Sequence, residues 1–184
     1  MSKIFSVYSK NVDKVWYQSS NVKYSECIDN EGELKTLKVV FNNGTQYQYT
    51  GVDVNQYLLF REDDSQGKAL NKYIKGNNYE YSKLEDANLE YIEDELNFRM
   101  EGGYFVEYNG EILSVKDNKD SVIYEREVKL TEEAFGVVCD IIRAMGHEIF
   151  VEGGSEFYIL NDREFINYND GEERDTRHIY GGIG

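Results

Sequence analysis

The stretch that most constrains this chain is Leu37–Tyr49, which reads Leu-Lys-Val-Val-Phe, then Asn-Asn-Gly, then Thr-Gln-Tyr-Gln-Tyr. Two alternating runs flank a turn signal, so the stretch predicts a β-hairpin. Asn43-Gly44 suits a two-residue turn, because both central residues of that turn need positive φ. That register pairs Phe41 with Gln46 and Val39 with Gln48, which mixes apolar and amide side chains on one face. A three-residue loop, Asn42-Asn43-Gly44, with Gly44 left-handed, pairs Phe41 with Thr45, Val39 with Tyr47 and Leu37 with Tyr49. All the large apolar groups then share one face. A one-residue slip would send them to the other side, so the pattern selects the three-residue loop. Lys38, Gln46 and Gln48 fall on the opposite, wetter face, with Val40 as an exception.

Such a hairpin needs partners, and the chain supplies them. Ile4–Tyr8 and Val15–Tyr17 are short apolar runs suited to strands, with Trp16, the only tryptophan, read as a core plug. Val22, Tyr24 and Ile28 mark a further strand. Asp53 is placed to cap a helix with Val54, Tyr57, Leu58 and Arg61 at helical spacing. Gly67–Ile74 predicts a second short helix, stopped at Gly76. Ser82-Lys83-Leu84-Glu85 has the form of a capping box, which predicts a connector helix over 83–100. The chain has no proline, so its turns must rest on Gly, Asn and Asp.

Beyond Glu101-Gly102-Gly103, Tyr104–Tyr108 and Glu111–Val115 predict a hairpin around Asn109-Gly110. Val106 would face Leu113 and Tyr104 would face Val115. Val122–Val128 predicts a third strand. Thr131 is a good N-cap, with Glu132 and Glu133 where the helix dipole favours acids. Ala134, Val137, Val138, Ile141, Ile142 and Met145 give that helix a broad apolar face, ended by Gly146. Ile149–Val151 and Phe157–Leu160 predict another hairpin, and Phe165–Tyr168 one more strand. The fold class expected is α+β, in two small modules of antiparallel hairpin sheets, each packed by one or more helices. The modules are 1–82 and an acidic sheet over 101–168 with its helix at 131–146. The connector helix joins them, and a mobile tail, 169–184, follows.

Charge separates the halves. The net charge is −15. Met1–Asp86 carries 11 basic and 12 acidic residues, whereas Ala87–Gly184 carries 9 and 23. A surface with the second balance repels phosphate backbones and acidic membranes and attracts basic partners. Only Cys27 and Cys139 are present, which is neither a disulfide framework nor a zinc spacing. A reducing cytoplasmic setting fits that usage. No apolar run approaches the ~20 residues of a membrane helix, and no leader-like apolar core is visible at the start.

The stretch from about Tyr17 to Tyr81 resembles the KTSC domain. This short module is seen in small bacterial and phage proteins and at the C-terminus of some lysyl-tRNA synthetases. The resemblance rests on Ser19-Ser20-Asn21-Val22, on Leu37, Val39, Phe41, Gly44, Tyr47 and Tyr49 in the hairpin, and on Val52, Tyr57, Ser65-x-Gly67-Lys68, Asn71 and Ile74. Asp53 stands where such domains usually carry proline, and Ala69-Leu70 where an aromatic pair is often found. The resemblance implies no catalytic activity. Its link to a synthetase implies a role beside nucleic acid or in protein docking.

The chemistry available is limited. His147 follows the Gly146 helix end, where a capping role suits it. His178 falls in the tail, and the two cysteines have no base placed beside them. Asp162, Asp170, Glu172 and Glu173 are a conceivable Ca²⁺ set, but their spacing matches no EF-hand loop. Gly153-Gly154 lacks the helix and lysine of a phosphate loop. No metal or other cofactor is called for.

The function expected first is a non-enzymatic binding protein of phage-accessory type. Its acidic half would dock on a basic surface of a nucleic-acid-handling protein, as a nucleic-acid mimic or inhibitor. The contacts would be Glu90, Glu93, Asp94 and Glu95 on the connector. A second set is Glu152, Glu156, Asp162, Glu164, Asp170, Glu172, Glu173 and Asp175. The alternative is single-stranded nucleic-acid binding by a basic and aromatic strip: Lys68, Lys72, Tyr73, Lys75, Tyr79, Tyr81 and Lys83. A carboxylate-based hydrolase ranks third.

Overall fold

A computed structural model describes residues 2–30, 32, 34–153, 156–161, 164–167 and 172–174, with side chains through Ile149. The fold is α+β and divides into two units, Met1–Ile92 and Glu93–Gly184.

The first unit is a six-stranded antiparallel meander in chain order. Its strands are β1 (Lys3–Ser9), β2 (Val12–Tyr17), β3 (Val22–Asp29), β4 (Leu34–Phe41), β5 (Gln46–Asp53) and β6 (Glu80–Lys83). The β4–β5 hairpin takes the register its pattern predicts: Leu37 faces Tyr49 and Val39 faces Tyr47. Gly44 closes the loop at φ +91°, and its N–H donates to Phe41 O at 2.9 Å. Leu37, Val39 and Tyr49 join Val15, Tyr17 and Val22 in the core, where α1 (Val54–Glu62) adds Tyr57 and Phe60, and α2 (Gln66–Ala69) with the turn that continues it adds Ala69, Leu70 and Ile74. Asp53 caps α1 by accepting from the Asn55 and Gln56 N–H groups. On the other sheet face, Trp16 is 1% exposed. It packs beside Phe5 and Tyr24 and donates Nε1–H to Ile92 O at 3.0 Å. Val40, the exception on the wetter face, is buried too.

Several elements depart from the sequence expectation. In α1 it is Phe60, not Leu58, that joins Tyr57 in the core, and Leu58 is exposed. The second helix starts at Gln66 and continues as a π turn over Leu70–Ile74 and a 3-10 turn over Lys75–Asn77. Asn78, in the left-handed region at φ 54°, stops it, rather than Gly76. Ser82–Glu85 is no helix start. Glu80–Lys83 pairs with β5, and Leu84 and Ala87 donate backbone N–H groups to Gln46 O and Gly44 O. The ladder beside the hairpin outweighs the local capping signal. The helix, α3, is Leu89–Met100, and the Asn88 side chain accepts from Tyr91 N–H at its start. The division between units falls within α3.

The second unit has a seven-stranded sheet in which β7 (Tyr104–Tyr108), β8 (Ile112–Lys116) and β9 (Val122–Glu127) continue from β10 (Ile149–Gly153). On the far side of β10 lie β11 (Glu156–Asn161), β12 (Glu164–Asn167) and β13 (Glu172–Arg174). The β10–β7 pairing is parallel, and the others are antiparallel. β13 falls within the segment expected as a mobile tail, the rest of which lies outside the described residues.

The β7–β8 register differs from expectation by two residues: Val106 faces Val115 and Tyr108 faces Leu113. The Asn109 side chain accepts from Glu111 and Ile112 N–H groups, and Gly110 takes φ +97°, so the turn centres on Gly110-Glu111. A two-residue slip keeps every side chain on its face, so the apolar pattern could not separate the registers. Thr131 caps α4 (Glu132–Ala144) through Ala134 N–H. The stripe α4 packs against Val106, Leu113 and Ile149 is Phe135, Val138, Cys139 and Ile142. Ile141 and Met145, expected on that face, are exposed.

Candidate functional site

The core face of the first sheet is not covered to its edge. β5 and β6 set Tyr47 opposite Lys83 and Tyr49 opposite Tyr81. All four lie on the face that carries the core, because paired residues share a face and alternate residues repeat it. Tyr49 is buried and Tyr47 half-buried, whereas Tyr81 is 68% exposed. The rings form a chain. Phe41 meets Tyr47 edge-on at 6.1 Å, Tyr47 meets Tyr81 at 6.2 Å, and Tyr81 meets Tyr49 at 5.9 Å with 37° between planes. Burial, with Tyr47 and Tyr81 beside it, pushes the Tyr49 hydroxyl above its ordinary pKa.

Asn78 supplies the third wall. Its left-handed turn reverses the chain from the helices into β6, and Tyr79 then packs against the core. The Tyr79 hydroxyl accepts from Asp53 N–H at 3.3 Å, which pins the ring. The result is a cavity of about 340 Å³ lined by Tyr47, Tyr49, Lys75, Asn78, Tyr79 and Tyr81. Lys75 and Lys83 are exposed, and neither has an acidic partner among the described residues.

Tyr47 also lines a second cavity, of about 480 Å³, with Ser20, Asn21, Phe41, Asn42, Asn43, Thr45 and Lys83. Here the loop amides are fixed. Asn42 Nδ2 donates to Ser19 O at 2.8 Å, and Asn43 Oδ1 accepts from Thr45 N–H at 3.0 Å. Asn21 O accepts from Asn42 N–H at 2.8 Å. The Asn21 side chain lies against Gly67, where a Cβ would come within 2.8 Å of its Nδ2. Ser20-Asn21, the Asn42–Thr45 turn and Lys83, far apart in sequence, therefore meet around one polar cleft, with α2 packed behind Asn21 at Gly67.

Of the basic and aromatic strip expected from the sequence, Lys75, Tyr79, Tyr81 and Lys83 come together here. Lys72 lies over the Tyr73 ring at 4.9 Å, Tyr73 packs on the core, and Lys68 is exposed outside both cavities. Sequence reasoning missed Tyr47 and Tyr49 as site residues. Their alternation suits core packing, and the capping signal at Ser82 predicts a helix from Lys83, where the chain instead forms β6 and turns them into a wall.

The acidic set is placed differently. Glu90 and Glu93 are exposed and Asp94 is half-buried. Glu95, expected as a docking contact, is only 2% exposed. It pairs with Arg99, which also meets Asp120 at 3.0 Å and stacks on Phe105 at 4.1 Å. Burial alone would lower the Arg99 pKa, but Glu95 and Asp120 outweigh it and raise it. Glu95 is thus part of an interior ion cluster. The side chains of Glu152, Glu156, Glu164, Glu172 and Glu173, and all of Asp162, Asp170 and Asp175, lie outside what is described, as does His178.

The groups that could serve nucleophilic chemistry are enclosed. Cys27 and Cys139 are buried and free, and desolvation pushes both thiols up to about 12. His147 packs edge-on against Tyr104 at 4.9 Å. Among the described residues no group of three or more His, Cys, Asp and Glu side chains is placed to hold a metal. Among them, too, no helix is long and apolar enough to cross a membrane.

Residues 18–79 match the KTSC domain. The matched stretch takes in β3, β4, β5 and the helices that follow, and with them the lining of the polar cleft apart from Lys83. It stops at Tyr79, so Tyr81 and Lys83 of β6 lie just beyond the KTSC match. No curated protein matches the chain.

Proposed function

We propose that the KTSC unit is a non-enzymatic module that binds single-stranded nucleic acid in the groove between β5, β6 and the Asn78 turn. The observation that carries this reading is the pairing of the exposed Tyr81 ring and the half-buried Tyr47 ring with Lys75 and Lys83, which lack acidic partners among the described residues, in a chain of net charge −15. Bases offer π faces to Tyr81 and Tyr47, and the lysines reach phosphates. A groove made by a sheet edge admits an unpaired strand, whose bases are free to splay and stack. The inert cysteines are consistent with a reducing, cytoplasmic setting.

Fluorescence anisotropy of a labelled single-stranded octamer tests this. Tyr81→Ala should weaken binding by roughly five- to 150-fold, the range for one lost base stack at about 1–3 kcal/mol. Two phosphate contacts predict a slope of log K against log salt of about −1.4, which the Lys75→Glu, Lys83→Glu double variant should abolish. Variants that bind like the parent chain overturn the proposal.

A second reading is favoured by the charge asymmetry. Ala87–Gly184 carries 23 acidic residues against 9 basic, and such a surface suits a basic, nucleic-acid-handling protein, as a mimic or inhibitor of the phage-accessory kind. Glu172→Lys, Glu173→Lys and Asp175→Lys together should abolish capture of such a partner from nuclease-treated lysate while leaving octamer binding intact. Retained capture would discard this reading.

A further inference from the structure

The two cavities meet at Tyr47, yet they differ in chemistry. One is walled by four tyrosines, and the other by loop amides, a serine and a threonine. Resting on the reading that the groove takes single-stranded nucleic acid, we propose that the polar cleft is a base-reading subsite. It takes the nucleotide next to the one stacked on Tyr81 and discriminates among bases by their edges.

The turn fixes which amide atoms are left for a ligand. Asn43 lines the cleft and its Oδ1 is engaged by Thr45 N–H, so its Nδ2 hydrogens remain as donors. Asn42 gives one Nδ2 hydrogen to Ser19 O, which leaves its side-chain carbonyl as an acceptor. A donor and an acceptor on adjacent residues complement the paired acceptor and donor of a base edge, as an amide does with adenine. Both side chains are already held by backbone bonds, so little rotamer freedom is lost on binding. Asn21 is held at its backbone, where its carbonyl accepts from Asn42 N–H, and its side chain lies against Gly67. Phe41 offers an apolar edge to the base, and Lys83, which lines this cleft from β6, is placed for the intervening phosphate. A surface that only tracked phosphates would need none of these amides.

The full chain should be titrated with labelled single-stranded hexamers of A, C, T and U at one fixed salt concentration. Asn43→Ser keeps an acceptor for Thr45 N–H, removes the amide donor and leaves the charge unchanged. The parent chain should separate its best and worst hexamers at least fivefold, the low end for a paired base contact of about 1–3 kcal/mol. Asn43→Ser should bring that ratio within about twofold while the weakest hexamer binds as before, whereas Tyr81→Ala should lower all four alike. Equal binding of the four by the parent chain, or an unchanged ratio in Asn43→Ser, overturns the subsite and leaves the stacking reading standing. Failure of every hexamer to bind overturns both.

Discussion

Gly67→Ala probes the packing of α2 against Asn21, and its effect can be worked from the structure. Gly67 lies in α2, where alanine would ordinarily stabilise by up to about 1 kcal/mol. The new Cβ would sit 2.8 Å from Asn21 Nδ2 and 3.6 Å from its Cβ and Cγ. The obstructing atom is the far end of a side chain, so the relief is rotation of the amide away from its rotamer, at about 0.5–1.5 kcal/mol. The two effects nearly cancel, and the single variant should lie within about 1 kcal/mol of the parent chain. In an Asn21→Ala background the obstruction is gone and the full helix gain should appear. A double-mutant cycle should therefore give a coupling of roughly 0.5–1.5 kcal/mol. Urea unfolding followed by the fluorescence of Trp16, which lies in the same unit, measures all four chains. Additivity within about 0.3 kcal/mol would refute the contact.

Gly103→Ala would place a Cβ 2.2 Å from Phe98 Cζ, an overpacking that should cost about 1–3 kcal/mol. Phe98→Leu in the same chain should restore much of it, as read by circular dichroism during urea unfolding; no restoration would refute the packing. Burial pushes the Glu26 carboxyl up, but Lys38, Lys14 and the Tyr24 hydroxyl outweigh it and hold it below its ordinary value of 4.5. A group depressed in the folded chain contributes stability above that value and loses it as pH falls through the folded pKa. The drop in urea midpoint between pH 7 and pH 3 should thus be smaller in Glu26→Gln, and an equal drop would contradict the assignment. Cys27 and Cys139, both pushed up to about 12, should react with a thiol reagent at pH 7 only at the rate at which the chain opens. Rapid labelling of the folded chain would show that one of them is accessible.

What was legible in the sequence followed from whether errors carried a penalty. The β4–β5 register could be read because a one-residue slip would have exposed Val39 and Leu37. The β7–β8 register could not, because the observed pairing differs by two residues and leaves Val106, Tyr108, Leu113 and Val115 on the same face. The caps at Asp53 and Thr131 are local chemistry and were legible for that reason. Ser82 carried an equally good local signal and lost to a non-local one, the ladder that holds Glu80–Lys83 against β5. That single misreading hid the site. Lysine and tyrosine between Lys68 and Lys83 were visible as a strip, but Tyr47 and Tyr49 become a wall only once β6 is an edge strand. The polar cleft was beyond reach altogether, since it brings Ser20-Asn21, the Asn42–Thr45 turn and Lys83 of β6 together from separate parts of the chain.

The most direct test is to titrate a single-stranded oligonucleotide into the isotope-labelled full chain and follow backbone amide resonances. The account predicts saturable shifts at Tyr47, Tyr49, Lys75, Tyr79, Tyr81 and Lys83, extending to Asn42 and Asn43 as the cleft fills. Shifts confined to Glu93–Gly184, or none at concentrations near a millimolar dissociation constant, about −4 kcal/mol, would contradict it.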